Sequence, residues 1–232
     1  MSRLAIDGGN PVRTRPFPRW PMFDHEDAEA AREVLESGQV NYWTGAHGGK
    51  LEAEFAAAVG TRHAVVLSNG TVALELALRA IGVRPGDEVV VPAATFIATA
   101  AAVVSCGARP VVVDVDVHSQ CLTAATVEPA LTRRTVAIIV VHLAGHPADV
   151  HPLVELAHRH GLRVVEDCAQ AHGASYRGQP VGGLGDIAAW SFCQDKILST
   201  AGEGGAITTS DDALWQRCWE FKDHGTSWAD AH

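Results

Sequence analysis

Between residues 63 and 209 the chain repeats one alternation: a short β-branched run, then in most cases a helical pattern, then another run. The runs are HAVVL at 63–67, DEVVVP at 87–92, RPVVVDVD at 109–116, VAIIVVH at 136–142, LRVVED at 162–167, DIAAWSF at 186–192 and GGAITT at 204–209. Segments such as TVALELALRAIGV and VHPLVELAHRHG stand between them, with an apolar face at helical spacing and, in the second, a closing Gly161. Apolar strands alternating with helices need cover on both faces. The pattern therefore predicts an α/β protein, a three-layer αβα sandwich with right-handed crossovers around a mainly parallel seven-stranded sheet. Only CQDKILSTAGE joins the sixth run to the seventh, too little for a crossover helix, so the last strand is expected to run antiparallel.

The first sixty residues read differently, as a proline-rich arm, a helix, a glycine-rich loop bearing Tyr42 and Trp43, and a second helix. The expected division is an N-terminal arm with helices over 1–60 and one large domain over 61–232. Apolar residues at 47% and charged residues at 19% fit neither a disordered nor a membrane chain. The best candidate span, PAATFIATAAAVVSCGA, is alanine-rich and too short for a bilayer, and MSRLAIDGGNPVRTRP has no hydrophobic signal core. A formal charge of −9 argues against a nucleic-acid partner. Five cysteines without a C-x-x-C pair read as reduced, and the cytoplasm is the expected compartment.

Three places on the carboxyl edge of the predicted sheet can carry chemistry. Ser68-Asn69-Gly70-Thr71 lies between a strand and a helix, where the unpaired N–H groups of the first turn suit a phosphate or carboxylate, or where the segment is simply a helix cap. Glu166 and Asp167 end a strand, and a carboxylate there either holds a cationic group or caps a helix. Lys196 follows DIAAWSF and precedes the glycine cluster of STAGEGGA. A partly desolvated lysine is a usable amine toward carbonyl compounds, whereas an isolated loop lysine is ordinarily just solvated. The adjacent glycines permit the close backbone approach that a ligand needs. Taken together, an anion cradle, a strand-end carboxylate, a lysine and the aromatic Phe96, Trp190 and Phe192 match the requirements of pyridoxal 5'-phosphate.

Ordered along nearly the whole chain, SGQVNYWTG, SNGTVALELAL, PGDEVVVPAATFIATAAAV, VDVD, VHLAGHPADV, VVEDCAQAHGA, GDIAAWSFCQDKILSTAGEGGAITT and KDHG resemble the DegT/DnrJ/EryC1/StrS aminotransferases. The resemblance implies the large domain of a fold-type I pyridoxal-phosphate transferase acting on keto sugars. It makes Lys196 the lysine that carries the cofactor and Asp167 the partner of its pyridine nitrogen. It also assigns Gly70, Thr71 and Ser191 to the phosphate, Phe96 to the ring face and Gln170 to the ring hydroxyl. Relatives that dehydrate sugars carry histidine at the lysine position, so Lys196 favours transamination.

The implied reaction moves an amino group from L-glutamate or L-glutamine to a keto sugar, nucleotide-linked in the preferred reading, in amino-sugar, polysaccharide or antibiotic biosynthesis. The alternatives are a cyclitol ketone such as an inosose, an aminohydroxybenzoate-forming enzyme, and a homologue that binds the cofactor without turnover. A homodimer is implied for the full-length family context. The family also implies a smaller C-terminal domain beyond KDHGTSWADAH, so the 232-residue chain is expected to lack it, to expose apolar surface and to be weakly active.

Other signals stay bland. His142 and His146 have i, i+4 spacing, but Gly145 and Pro147 oppose a metal-binding helix, and no metal is expected. PVGGLG lacks the dinucleotide fingerprint, His158 and His160 lie on a surface helix, and Tyr42 and Trp43 either line a sugar pocket or pack the arm.

Overall fold

The computed structural model describes residues 3–231. After an arm come α1 (His25–Ser37) and α2 (His47–Val59), then β1 (His63–Leu67), α3 (Gly70–Ala80), β2 (Glu88–Pro92), α4 (Ala98–Ser105) and β3 (Arg109–Val113). The chain continues through α5 (Ala124–Val127), β4 (Thr135–Val141), α6 (Val150–Arg159) and β5 (Arg163–Asp167). A two-stranded hairpin, β6 (Ser175–Tyr176) and β7 (Gln179–Pro180), precedes β8 (Ile187–Ser191), β9 (Gly205–Thr209), α7 (Asp212–Lys222) and α8 (Trp228–Ala231).

Seven strands form one sheet in the order β1-β9-β8-β5-β4-β2-β3. All neighbours from β8 to β3 pair in parallel, while β9 runs antiparallel to both β8 and β1. The short β8–β9 link thus has the expected consequence: without a crossover helix the chain returns directly. RPVVVDVD stops pairing at Val113, because Asp116 turns the chain by accepting the N–H groups of His118 and Ser119.

Side chains alternate between two apolar layers. Val89, Val91, Ile139, Val165, Ile187 and Ile207 pack with α3, α4 and α7, whereas Val90, Ile138, Val140 and Val164 pack under α5 and α6. A third cluster sets Phe55 and Val59 of α2 against Ala188, Trp190 and Phe192, the Phe55 ring standing edge-on to Trp190 at 5.0 Å. Helix α1 buries no residue.

Two elements lay outside the sequence reading. The β6–β7 hairpin turns on Arg177 and Gly178, both with positive φ, a two-residue turn whose strands are too short to show alternation. Helix α7 starts at an Asp211 cap and buries Leu214, Cys218 and Trp219, a spacing that was present in the sequence. Tyr42 and Trp43 pack on α7: their rings lie 5.3 and 6.1 Å from that of Trp219, and the Tyr42 hydroxyl donates to Glu52 at 2.7 Å. His158 and His160 are exposed at the end of α6, as expected. No helix among the described residues is long and apolar enough to cross a membrane.

Candidate active site

A cavity of about 820 Å³ opens at the carboxyl edge of the sheet, where β5 and β8 end beside the start of α3. Its walls bring together all seven residues that the family resemblance assigns to the site, which span 126 positions from Gly70 to Lys196, whereas Ser68, Glu166 and Phe192, also named from the sequence, do not line it.

Asn69 caps α3 by accepting the Val72 N–H at 2.9 Å, so the cap reading of this segment holds. The cap leaves the Gly70 and Thr71 N–H groups without an acceptor among the described residues, and both residues line the cavity. Gly70 is required by space: a Cβ there would sit 2.6 Å from the Cβ of Ser191. Gly205 serves the same approach, since a Cβ on it would meet the Asn69 carbonyl oxygen at 2.4 Å. The buried Ser191 thereby stands beside the first turn of α3, a polar cradle with the donors that an anion needs.

Asp167 ends β5 on the face covered by α4. Its carboxylate accepts the Thr99 hydroxyl at 2.8 Å and the Ala169 N–H at 3.2 Å. Burial pushes its pKa up, against these bonds and the charge of Lys196. Thr99 was not foreseen, because nothing in ATFIAT tells which residue of the turn will reach a strand 68 positions away.

Glu166, one residue earlier, faces the other way. It accepts the N–H groups of Gly182, Leu184 and Gly185 at 3.0, 2.8 and 2.7 Å and pairs with His142 at 3.0 Å. Gly182, Leu184 and Gly185 of PVGGLG are therefore donors to a buried carboxylate. Ala148 N–H donates to His142 Nδ1 at 3.1 Å, so Nε2 carries the ring proton and donates to Glu166. Burial alone would raise the Glu166 pKa, but the His142 bond and the N–H groups outweigh it and hold the carboxyl low. His142, Glu166 and Cys168 place three ligand-type atoms within 4.8 Å of one another, yet the histidine and carboxylate atoms are already committed to these bonds.

Lys196 lies in the loop between β8 and β9, its side chain 19% exposed and its Nζ 3.4 Å from Asp195. Gln170 lines the cavity with its Oε1 held at 2.6 Å by the Ala144 N–H, which leaves the amide nitrogen to face a ligand. Phe96 presents an exposed ring to the same space. His172 packs against Trp190 and Phe192 with neither ring nitrogen hydrogen-bonded; burial, and then the Lys196 charge, lower its pKa to about 4.

An α/β sheet with a lysine, a buried carboxylate and an open helix N-terminus converging on one edge is the architecture of a fold-type I transferase. The family model of the DegT/DnrJ/EryC1/StrS aminotransferase family matches residues 21–232, and the chain belongs to this family. It is 52% identical over 193 residues to a UDP-N-acetyl-3-dehydro-alpha-D-glucosamine 3-aminotransferase of Acidithiobacillus ferrooxidans, covering 83% of this chain and 52% of that one. It is 46% identical over 228 residues to an L-glutamine:2-deoxy-scyllo-inosose aminotransferase of Streptomyces lividus, covering 96% of this chain and 53% of that one. The solved structure of NtdA from Bacillus subtilis with bound cofactor PMP superposes at a TM-score of 0.81 with 32% identity, over 88% of this chain and 46% of that one. The chain thus spans about half the length of the curated relatives it matches.

Proposed function

We propose that the protein is a pyridoxal-phosphate-dependent aminotransferase that moves an amino group from L-glutamine or L-glutamate to the ketone of a polyhydroxylated ring. The observation that carries this reading is the single cavity shared by Lys196, Asp167 and the open N-terminus of α3. The residues fit the cofactor: space and free donors at Gly70, Thr71 and Ser191 suit its phosphate, and the exposed Phe96 ring suits its flat face. When bound, the cofactor supplies a carbonyl carbon and an electron-accepting ring.

The chain's own groups do the rest. Asp167 holds its carboxylate in a buried place where a proton shared with a ring nitrogen relieves the cost of desolvation. Gln170, whose Oε1 accepts the Ala144 N–H, would offer its amide nitrogen to the cofactor's ring hydroxyl. Lys196 carries the cofactor and, when released from it, takes and returns a proton at Nζ. In this reading residues 61–232 form the cofactor-binding domain, and the segment before them supplies the arm and two helices. The protein works in the cytoplasm, a proposal supported by five free cysteines, and as a homodimer, for which the exposed Phe17, Met22 and Phe23 of the arm speak.

The first acceptor to test is a nucleotide-linked keto sugar, the class named for the Acidithiobacillus relative. A free cyclitol ketone is the second, favoured by the name of the Streptomyces relative, whose amino donor is L-glutamine. Adding L-glutamine to cofactor-loaded protein is expected to convert its visible absorption to that of the amino form. A loaded spectrum that stays unchanged with either donor would mean a binding protein. Equal rates with free cyclitol ketones and nucleotide sugars would overturn the nucleotide-linked acceptor, whose remote part should contribute to rate.

A further inference from the structure

The loop that carries Lys196 is held almost entirely by itself. Phe192 N–H donates to Gly204 at 2.7 Å, Gln194 N–H to Gly202 at 3.0 Å, Thr200 N–H to Phe192 at 3.0 Å and Lys196 N–H to Cys193 at 2.9 Å. The Thr200 hydroxyl and the Cys193 thiol also bond within the loop, to Glu203. Among the described residues, and apart from bonds to the adjoining Ser191 and Phe192, one hydrogen bond reaches residues 193–203 from elsewhere in the chain. It comes from 176 positions away: the indole N–H of Trp20 donates to the carbonyl oxygen of Lys196 at 3.2 Å.

The bond falls on the peptide plane that follows Lys196. Fixing that plane restrains ψ of Lys196, and with it the direction of a four-carbon side chain whose amine must meet a reacting carbon within a fraction of an ångström. The neighbouring Ile197 and Leu198 are 58% and 46% exposed, so apolar packing does little to hold this part of the loop. The arm is equally unsupported on its own, with Trp20 55% exposed and no buried residue in the helix that follows it. Each side thus restrains the other.

We propose that Trp20 is a positioning residue, whose indole N–H clamps the carbonyl of Lys196 and so aims the amine of that lysine into the cavity. The clamp itself follows from the bond; its catalytic meaning rests on the proposed role of Lys196 as the amine that takes up the cofactor. Order in the N-terminal arm and readiness of the lysine are then one equilibrium, and anything that lifts the arm loosens the loop.

The test compares the parent, Trp20→Phe, which keeps a ring and loses the N–H, and Phe17→Ala, which alters the arm without touching the loop. Amide hydrogen exchange is followed by mass spectrometry without cofactor. Trp20→Phe is expected to speed exchange of residues 192–204 by roughly three- to tenfold, the range of one net hydrogen bond, while β4 and β5 and the whole Phe17→Ala variant match the parent. Pyridoxal phosphate is then added, and covalent capture on Lys196, fixed by borohydride, is timed from neutral to alkaline pH. Trp20→Phe should capture it more slowly by a similar factor at every pH. Unchanged exchange of residues 192–204, or faster exchange everywhere alike, overturns the clamp. A looser loop with an unchanged capture rate overturns the positioning role. If the parent itself captures no cofactor on Lys196, the proposed function fails, and the exchange result still decides the clamp.

Discussion

Glu166 and Asp167 are neighbours at the end of one strand, 0% and 6% exposed, yet the two faces of the sheet use them in opposite ways. On one face Glu166 has four hydrogen-bond partners, a histidine and three backbone N–H groups, and its carboxyl is held low. On the other, Asp167 has two partners, faces an open cavity, and is pushed up by burial. A carboxylate accepts about four hydrogen bonds, so the first is saturated and the second retains capacity for a ligand. Burial alone therefore does not mark a working carboxylate. The mark is burial with bonding capacity left over, beside a space that a ligand can enter.

The largest expected effect lies at the amine opposite Asp167. Lys196→Ala should cut the glutamine half-reaction by about a thousandfold or more while the melting temperature stays close to the parent's, because a loop amine on the surface of a cavity contributes little to stability. Stopped-flow absorbance and a thermal scan read both. Turnover near the parent rate would remove Lys196 from the chemistry.

The pair itself gives a crossed prediction. Glu166→Ala leaves His142 and three N–H groups unpaired and should cost about 3–5 kcal/mol in urea unfolding, with turnover per folded molecule largely retained. Asp167→Asn keeps shape and removes charge, so it should lower turnover by about a hundredfold with little change in stability. The reverse pattern would exchange the roles of the two faces.

A smaller effect reports on the field of Lys196 across the sheet. The pKa of His172 is lowered to about 4 from an ordinary 6.5, by burial first and by Lys196 second. A depressed histidine stays neutral in the folded state, so its contribution is full above pH 6.5 and is lost as pH falls toward about 4. Lys196→Ala removes one cause, and NMR titration should find the His172 pKa higher than in the parent. An unchanged value would mean that the ring does not sense the lysine. The smallest effect is expected for Phe96→Ala, which should weaken cofactor retention by roughly 1 kcal/mol through lost stacking. A dissociation constant equal to the parent's would take Phe96 off the ring face.

Much of this was legible in the sequence because strands covered on both faces are written as near-continuous apolar runs, and each of the seven runs became a strand of the sheet. The antiparallel return of β9 was legible from the length of its link. The convergence of Gly70, Asp167 and Lys196 came from their shared position at strand ends and helix starts, together with the family resemblance. What escaped depends on contacts that no local pattern encodes. The PVGGLG segment reads only as lacking a dinucleotide fingerprint until Glu166 is known to accept its backbone N–H groups. Thr99 and Trp20 look like an ordinary helix residue and an ordinary arm residue until the fold brings one to Asp167 and the other to Lys196.

The central claim is that the Asp167 face of the sheet is where a carbonyl cofactor is held, and the chain offers a clean contest among its three lysines. Lys50 is exposed and pairs loosely with Glu54. Lys222 is an amine whose pKa is lowered by burial, but its Nζ lies 3.5 Å from the Tyr42 ring centroid and 3.5 Å from Glu52. Incubating the protein with pyridoxal phosphate, reducing with borohydride and mapping the peptides should find one adduct, on Lys196, and none in Lys196→Ala. An adduct on Lys222 or Lys50 with Lys196 unmodified, or no adduct at all, would contradict the account.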